Sequence, residues 1–204
     1  MKIDLIKKDG EKLILLFLGY SFMADCIKHL EVGDYSLAVI YDYSELSFDD
    51  SFLKDKDIYL VSWSMGVWAA NLVLKNIPLK KSIAINGTPF GIDDKYGINA
   101  GNFYKTITNY NFESFKKLCF LGIPPEKISN FEFNKNAKLE LINLYKNAIK
   151  PCDNNICWDK AIISKKDLIF PPKASEYFSC QKIYINAPHF AFFNFKSFGD
   201  IVEI

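Results

Sequence analysis

Residues 58–76, IYLVSWSMGVWAANLVLKN, run an apolar, β-branched stretch straight into a helix-forming one through a short turn that holds Ser64. Such a chain bends sharply where strand becomes helix. The bend lifts the serine hydroxyl above the end of a sheet and requires small neighbours, because the backbones crowd there. Gly66 meets that requirement, whereas Ser62 stands where the general pattern has glycine and carries a Cβ. The same alternation runs along the chain. Residues Met1–Lys7, Lys12–Leu18, Leu37–Tyr41, Asp57–Ser62, Lys81–Asn86, Lys160–Ser164 and Lys182–Asn186 read as strands, and Ser21–Leu30, Gly66–Asn76, Pro172–Phe178 and Ser197–Ile204 have helical spacing. The expected class is α/β, a mostly parallel sheet with helices packed on it. Asp9-Gly10, between the first two runs, predicts an antiparallel N-terminal hairpin. Residues 91–150 show no convincing strand but recurrent Phe, Tyr, Leu and Lys at helical spacing, which predicts a helical lid inserted into a single domain spanning 1–204.

Composition excludes several classes. Half of the residues are apolar and 16% are aromatic, too many for a disordered chain, and the formal net charge of +1 gives no bulk attraction to nucleic acid. All 25 cationic residues are lysine, so any acidic partner is met by point charges rather than by the guanidinium fork. The longest apolar run, residues 13–18, is far short of the ~20 residues that span a bilayer, and MKIDLIKKDGEK lacks the apolar core of a signal peptide. A cytoplasmic monomer without membrane contact is expected. Cys26, Cys119, Cys152, Cys157 and Cys180 are an odd number, Cys152 and Cys157 have no His or Cys neighbour at zinc-ligand spacing, and all five read as free thiols; no metal or cofactor is anticipated.

A serine hydroxyl needs a neighbouring base, and near neutral pH that base is usually histidine. His29 falls on a stretch read as helix, well past the end of its strand. His189 follows the last strand, at the carboxyl edge where open α/β sheets place their ligands, in the apolar setting PHFAFF. Asp167, in the turn KKDLIFPP after the strand AIIS, lies between Ser64 and His189 in the chain and is the expected carboxylate partner; Asp93 and Asp94 are the alternatives. Two main-chain N–H groups should receive a developing oxyanion: that of Met65, after the serine, and that of Tyr20, at the exit of LILLFLGYSF. Trp63, Phe90, Phe103 and Phe115 are candidates to line an apolar slot.

With these residues in place, the sequence resembles the α/β-hydrolase superfamily and, within it, the BioG-type pimeloyl-acyl-carrier-protein methyl ester esterases. The likeness runs from end to end through LFLGYSF, WSMGVWAA, INGTPFGIDDKYGI and NAPHFAFF. It implies hydrolysis of the methyl ester of pimeloyl-acyl-carrier protein in biotin synthesis, with Ser64 as nucleophile, His189 as base and Asp167 as orienting acid. It also implies an acidic carrier protein as partner. Between residues 116 and 150 stand Lys116, Lys117, Lys127, Lys135, Lys138, Lys146 and Lys150 against Glu126, Glu132 and Glu140, a local excess suited to docking it. A thioesterase or general carboxylesterase, and a silent binding domain of the same fold, are the rival expectations.

Overall fold

The computed structural model describes residues 1–7, 10–150, 153 and 155–204. Seven strands, β1 (Lys2–Lys7), β2 (Lys12–Phe17), β3 (Ser36–Tyr41), β4 (Asp57–Trp63), β5 (Lys81–Ile85), β6 (Lys160–Ser164) and β7 (Gln181–Ile185), form one sheet in the order β1-β3-β2-β4-β5-β6-β7. All neighbours run parallel except β1 and β3. Each strand prediction therefore lands within a residue of an observed strand.

Strand pleating sorts the core into two layers. Leu13, Leu15 and Phe17 of β2 face one apolar cluster while Ile14, Leu16 and Leu18 face the other, which is why this run is apolar throughout rather than alternating. On the first face lie α1 (Met65–Val73), α2 (Ala100–Thr108) and α4 (Ala137–Ala148). On the second lie the segment after β7 and α5 (Phe198–Glu203), while α3 (Phe112–Cys119) reaches both through Phe115. Ser197 starts α5 with a reciprocal cap: its hydroxyl accepts from Asp200 N and the Asp200 carboxylate accepts from Ser197 N, both at 3.0 Å.

Three expectations fail. The antiparallel strand exists, but it pairs with β3 and not with β2, so there is no N-terminal hairpin. Asp9 of the turn signal lies outside the described residues; Gly10 N donates to Ser36 Oγ at 2.8 Å and Gly10 O accepts from Lys56 Nζ at 2.8 Å, which ties the start of β2 to its two parallel neighbours. A strand buried on both faces takes the interior of the sheet, and half-exposed β1 is left for the edge. Residues 21–30 likewise hold no α-helix, only a 3₁₀ turn over Ala24–Ile27. Ser21 has φ +66°, and Glu31 instead bonds the far end of the chain, donating to Lys196 O and accepting from Phe198 N. Pro172–Tyr177 is also 3₁₀ rather than α.

Residues 91–150 run between β5 and β6 and carry α2, α3 and α4 with no strand. Cys26, Cys119, Cys157 and Cys180 are free thiols, and Cys152 lies outside the described residues. No helix among the described residues is long and apolar enough to cross a membrane.

Candidate active site

Ser64 sits at the junction of β4 and α1 with φ 58° and ψ −129°, a positive-φ conformation that costs a non-glycine residue about 1–3 kcal/mol and persists only where its surroundings enforce it. The surroundings are main chain. Ser64 N donates to Ile85 O at 2.9 Å and Val67 N to Ser64 O at 3.0 Å. A Cβ on Gly66 would lie 2.4 Å from Phe17 O, and one on Gly87 would lie 2.2 Å from Ser64 O. The turn thus exists because β2 and the segment after β5 both approach it at backbone distance. Ser62, by contrast, is accommodated fully buried. Because the contact at Gly87 is with backbone, Gly87→Ala should destabilise the fold by about 3 kcal/mol, read as a fall of roughly 10 °C in Tm by differential scanning calorimetry.

Three strand ends meet here. His189 Nε2 lies 2.9 Å from Ser64 Oγ and His189 Nδ1 lies 2.8 Å from Asp167 Oδ2. An ionised carboxylate only accepts, so Nδ1 carries the proton and Nε2 is left to accept from the Ser64 hydroxyl. Asp167 Oδ1 accepts from Ile169 N at 2.8 Å and Phe170 N at 3.0 Å, which stabilises charge on a side chain 1% exposed. The parallel register places these groups together: β4, β6 and β7 end at one edge of the sheet, and each releases its residue just past that edge. Ser64, Asp167 and His189 are 4%, 4% and 1% exposed. Phe170 stacks nearly parallel to the imidazole at 6.3 Å between centroids and Trp63 leans on it at 5.2 Å.

Asp93 and Asp94 do different work. Asp93 Oδ1 accepts from Lys95 N and Tyr96 N, and Asp94 Oδ1 accepts from Asn99 Nδ2 and Ala100 N, so both cap local turns. His29 lies elsewhere, with Nε2 at 3.2 Å from Phe192 O. The main-chain N–H groups of Tyr20 and Met65 have no hydrogen-bond acceptor among the described residues and flank the elbow, where the loop after β2 approaches Ser64.

Trp63, expected in the slot, is instead 1% exposed beneath the imidazole and donates through Nε1 to His189 O at 2.9 Å. The same carbonyl accepts from Asn86 Nδ2 at 2.8 Å, while Asn86 also exchanges bonds with Ser164, donating to its Oγ and accepting from its N. Asn86 and Trp63 thus pin the histidine segment to β5, β4 and β6. The residue-level reading of the sequence missed Asn86: it stood in INGTPFG as part of a family likeness, and the available signal was an Asn-Gly pair closing a strand, for Asn86 takes φ +46°, a conformation tolerated best by Asn and Gly. Phe90 packs edge-on to Tyr177 at 4.8 Å, Phe103 stacks on Tyr145 at 6.0 Å, and Phe115 meets the Tyr20 ring at 4.9 Å. Of these only Phe115 touches a residue of the elbow region through its ring.

The lysines differ in freedom. Lys116 pairs with Glu113 at 3.0 Å, Lys127 lies over the Phe193 ring and Lys138 over that of Tyr110, while Lys117 and Lys135 are exposed. Glu140, expected among the surface charges, is 0% exposed. The α4 helix turns it inward, where main-chain N–H groups receive it, and so the basic excess of this segment's surface is larger than the sequence count.

Known proteins resemble this chain over nearly its whole length. The family model described as pimeloyl-ACP methyl esterase BioG matches residues 1–201. A malonyl-[acyl-carrier protein] O-methyltransferase of Bacteroides fragilis is 38% identical over 181 residues, which is 81% of this chain but 36% of that protein, so the chain spans about a third of this relative's length. The crystal structure of BioG from Haemophilus influenzae superposes with a TM-score of 0.93 at 30% identity, covering 99% of this chain and 100% of that one. A lipase-esterase related protein from Clostridium acetobutylicum, at 17% identity with 93% of this chain and 92% of that one covered, shares the fold with a TM-score of 0.66.

Proposed function

The chain belongs to the BioG family of pimeloyl-ACP methyl esterases, and from that premise we propose that it hydrolyses the methyl ester of pimeloyl-acyl-carrier protein to methanol and the free acid, still attached to its carrier. The observation that carries this reading is the continuous buried relay from Ser64 through His189 to Asp167. Ser64 Oγ attacks the ester carbonyl and passes its proton to His189 Nε2. The N–H groups of Tyr20 and Met65 hold the oxyanion, and collapse expels methoxide, which leaves as methanol with the proton from Nε2. Water, deprotonated by His189, then frees the acyl group from Ser64. Asp167 keeps the proton on Nδ1 and stabilises the imidazolium. These steps call on no metal or cofactor.

Ser64 is 4% exposed, a burial that suits a site covered by a lid. The segment 91–150 serves as that lid within a single domain over 1–204, with Phe115, Phe90 and Phe103 bordering the acyl chain's path. Its lysines, Lys116, Lys117, Lys127, Lys135 and Lys138, face the acidic carrier, and the protein works as a monomer in the cytoplasm. The Bacteroides fragilis relative is named for attaching a methyl group to a carrier-bound malonyl unit. A region similar to this chain in the same polypeptide suits the later removal of such a group.

The test is direct. Purified chain is incubated with methyl-pimeloyl-acyl-carrier protein and the carrier is weighed by mass spectrometry. Conversion of the ester to the acid with the thioester intact supports the proposal. Release of free carrier thiol would make the protein a thioesterase, and an unchanged carrier alongside hydrolysis of a short p-nitrophenyl ester would keep the esterase but remove this substrate.

A further inference from the structure

Glu140 is 0% exposed, and its carboxylate is turned away from solvent onto the loop that follows β2. Both oxygens accept from Ser21 N, at 3.3 and 3.2 Å; Oε1 also accepts from Tyr43 N at 3.2 Å and Oε2 from Asn134 Nδ2 at 2.8 Å. The other side of the same residue is held too, because Ser21 O accepts from Asn134 N at 2.8 Å and Phe22 forms an isolated bridge with Phe133. Tyr43 closes the brace by donating its hydroxyl to Leu18 O. Residues 18–22 are thus gripped at several points, and three of the gripping residues, Phe133, Asn134 and Glu140, come from the segment between β5 and β6.

The grip falls where the proposed chemistry needs it. Ser21 directly follows Tyr20, and its φ of +66° is a conformation that a serine keeps only under external constraint. Its hydroxyl has no hydrogen-bond partner among the described residues, so the constraint comes through the main chain. The loop is also close to the nucleophile: a Cβ on Gly19 would lie 2.9 Å from Ser64 Cβ. Burial pushes the Glu140 carboxyl up to about 7 against the pull of Asn134, Tyr43 and Ser21, so this group is held at a cost that a surface residue would avoid.

We propose that Glu140 is a positioning residue for the oxyanion site: by holding Ser21 N it orients the preceding peptide so that Tyr20 N–H faces the Ser64 hydroxyl, and it makes that orientation depend on α4 being seated. This rests on the assignment of Ser64 and Tyr20 made above. Seating of the helical segment and completion of the catalytic site are therefore one event.

The experiment uses the full chain, a p-nitrophenyl butyrate assay and an alkyl boronic acid, whose tetrahedral serine adduct reports the oxyanion site. Glu140→Gln turns an amide toward donors that the carboxylate accepted from. It should lower kcat about tenfold to a hundredfold, as a small misplacement of a catalytic donor does, with KM within about twofold and boronate affinity weakened by the same factor as kcat. Asn134→Ala, which removes one of the two donors to Oε2 and leaves Ser21 N, should move the same two quantities in the same direction by less, and it serves if Glu140→Gln does not fold. A lowered Tm with kcat per folded molecule and boronate affinity both unchanged would show Glu140 to be a fold brace only and would overturn the inference. Wild-type turnover that survives Ser64→Ala would remove the premise itself, which is a separate and recognisable result.

Discussion

Replacing Ser64 with Ala should lower kcat for a p-nitrophenyl ester by roughly a million-fold, the loss seen when a serine nucleophile is removed from an intact relay. The reasons are local. Ala keeps the Cβ, so the strained turn at φ 58° is neither relieved nor worsened, and the hydrogen bonds from Ser64 N to Ile85 O and from Val67 N to Ser64 O are main-chain and remain. Tm should therefore stay near the wild-type value, and the far-ultraviolet circular dichroism should be unchanged. What disappears is the hydroxyl 2.9 Å from His189 Nε2, and with it the acyl-enzyme. A residual rate of about a thousandfold over water would come from the oxyanion donors and binding. Loss of labelling by a fluorophosphonate probe gives the second readout. Near-normal turnover in Ser64→Ala would sink the proposed mechanism outright.

Asp167→Asn should reduce kcat by about ten-thousandfold while leaving the fold intact. The oxygen of the introduced amide can still accept from Ile169 N and Phe170 N, as Asp167 Oδ1 does at 2.8 and 3.0 Å. That choice turns the amide nitrogen toward His189 Nδ1, where two donors would meet. The imidazole answers by moving its proton to Nε2, and a protonated Nε2 cannot take the proton of Ser64. The control is Asp93→Asn, which keeps the oxygen that accepts from Lys95 N and Tyr96 N and should leave turnover unchanged. If the two variants exchanged their effects, Asp167 would not be the orienting acid.

The features legible in the sequence are those that a short window specifies. The strand limits follow from apolar runs bounded by turn residues, and β6 is read to the residue, over Lys160–Ser164. The elbow is legible because its requirements, an apolar strand, small flanking residues and a helix, all lie within residues 58–76. The chain order Ser64, Asp167, His189 is legible because parallel strands all release their following residues at one edge, so residues just past β4, β6 and β7 converge whatever else the chain does.

Windows fail where the partner is distant. Asp9-Gly10 describes a turn but not which strand receives β1, and the tertiary structure assigns it to β3 because doubly buried β2 takes the interior. Helical spacing in 21–30 loses to bonds from Glu31 to residues Lys196 and Phe198 at the far end of the chain. Trp63 reads as an apolar pocket residue, and only the fold shows its ring nitrogen holding His189 O across 126 positions. Glu140 reads as one more surface carboxylate of a charged helix, and only the fold turns it toward Ser21, 119 positions away. By itself, then, the sequence determined the strand pattern, the turn at Ser64 and the candidate residues for the proposed acyl transfer, since sterics and periodicity act between near neighbours. The tertiary structure alone decided the edge pairing, the groups that fix His189 and the burial of Glu140, because apolar periodicity states that a side is buried but carries nothing that identifies its partner.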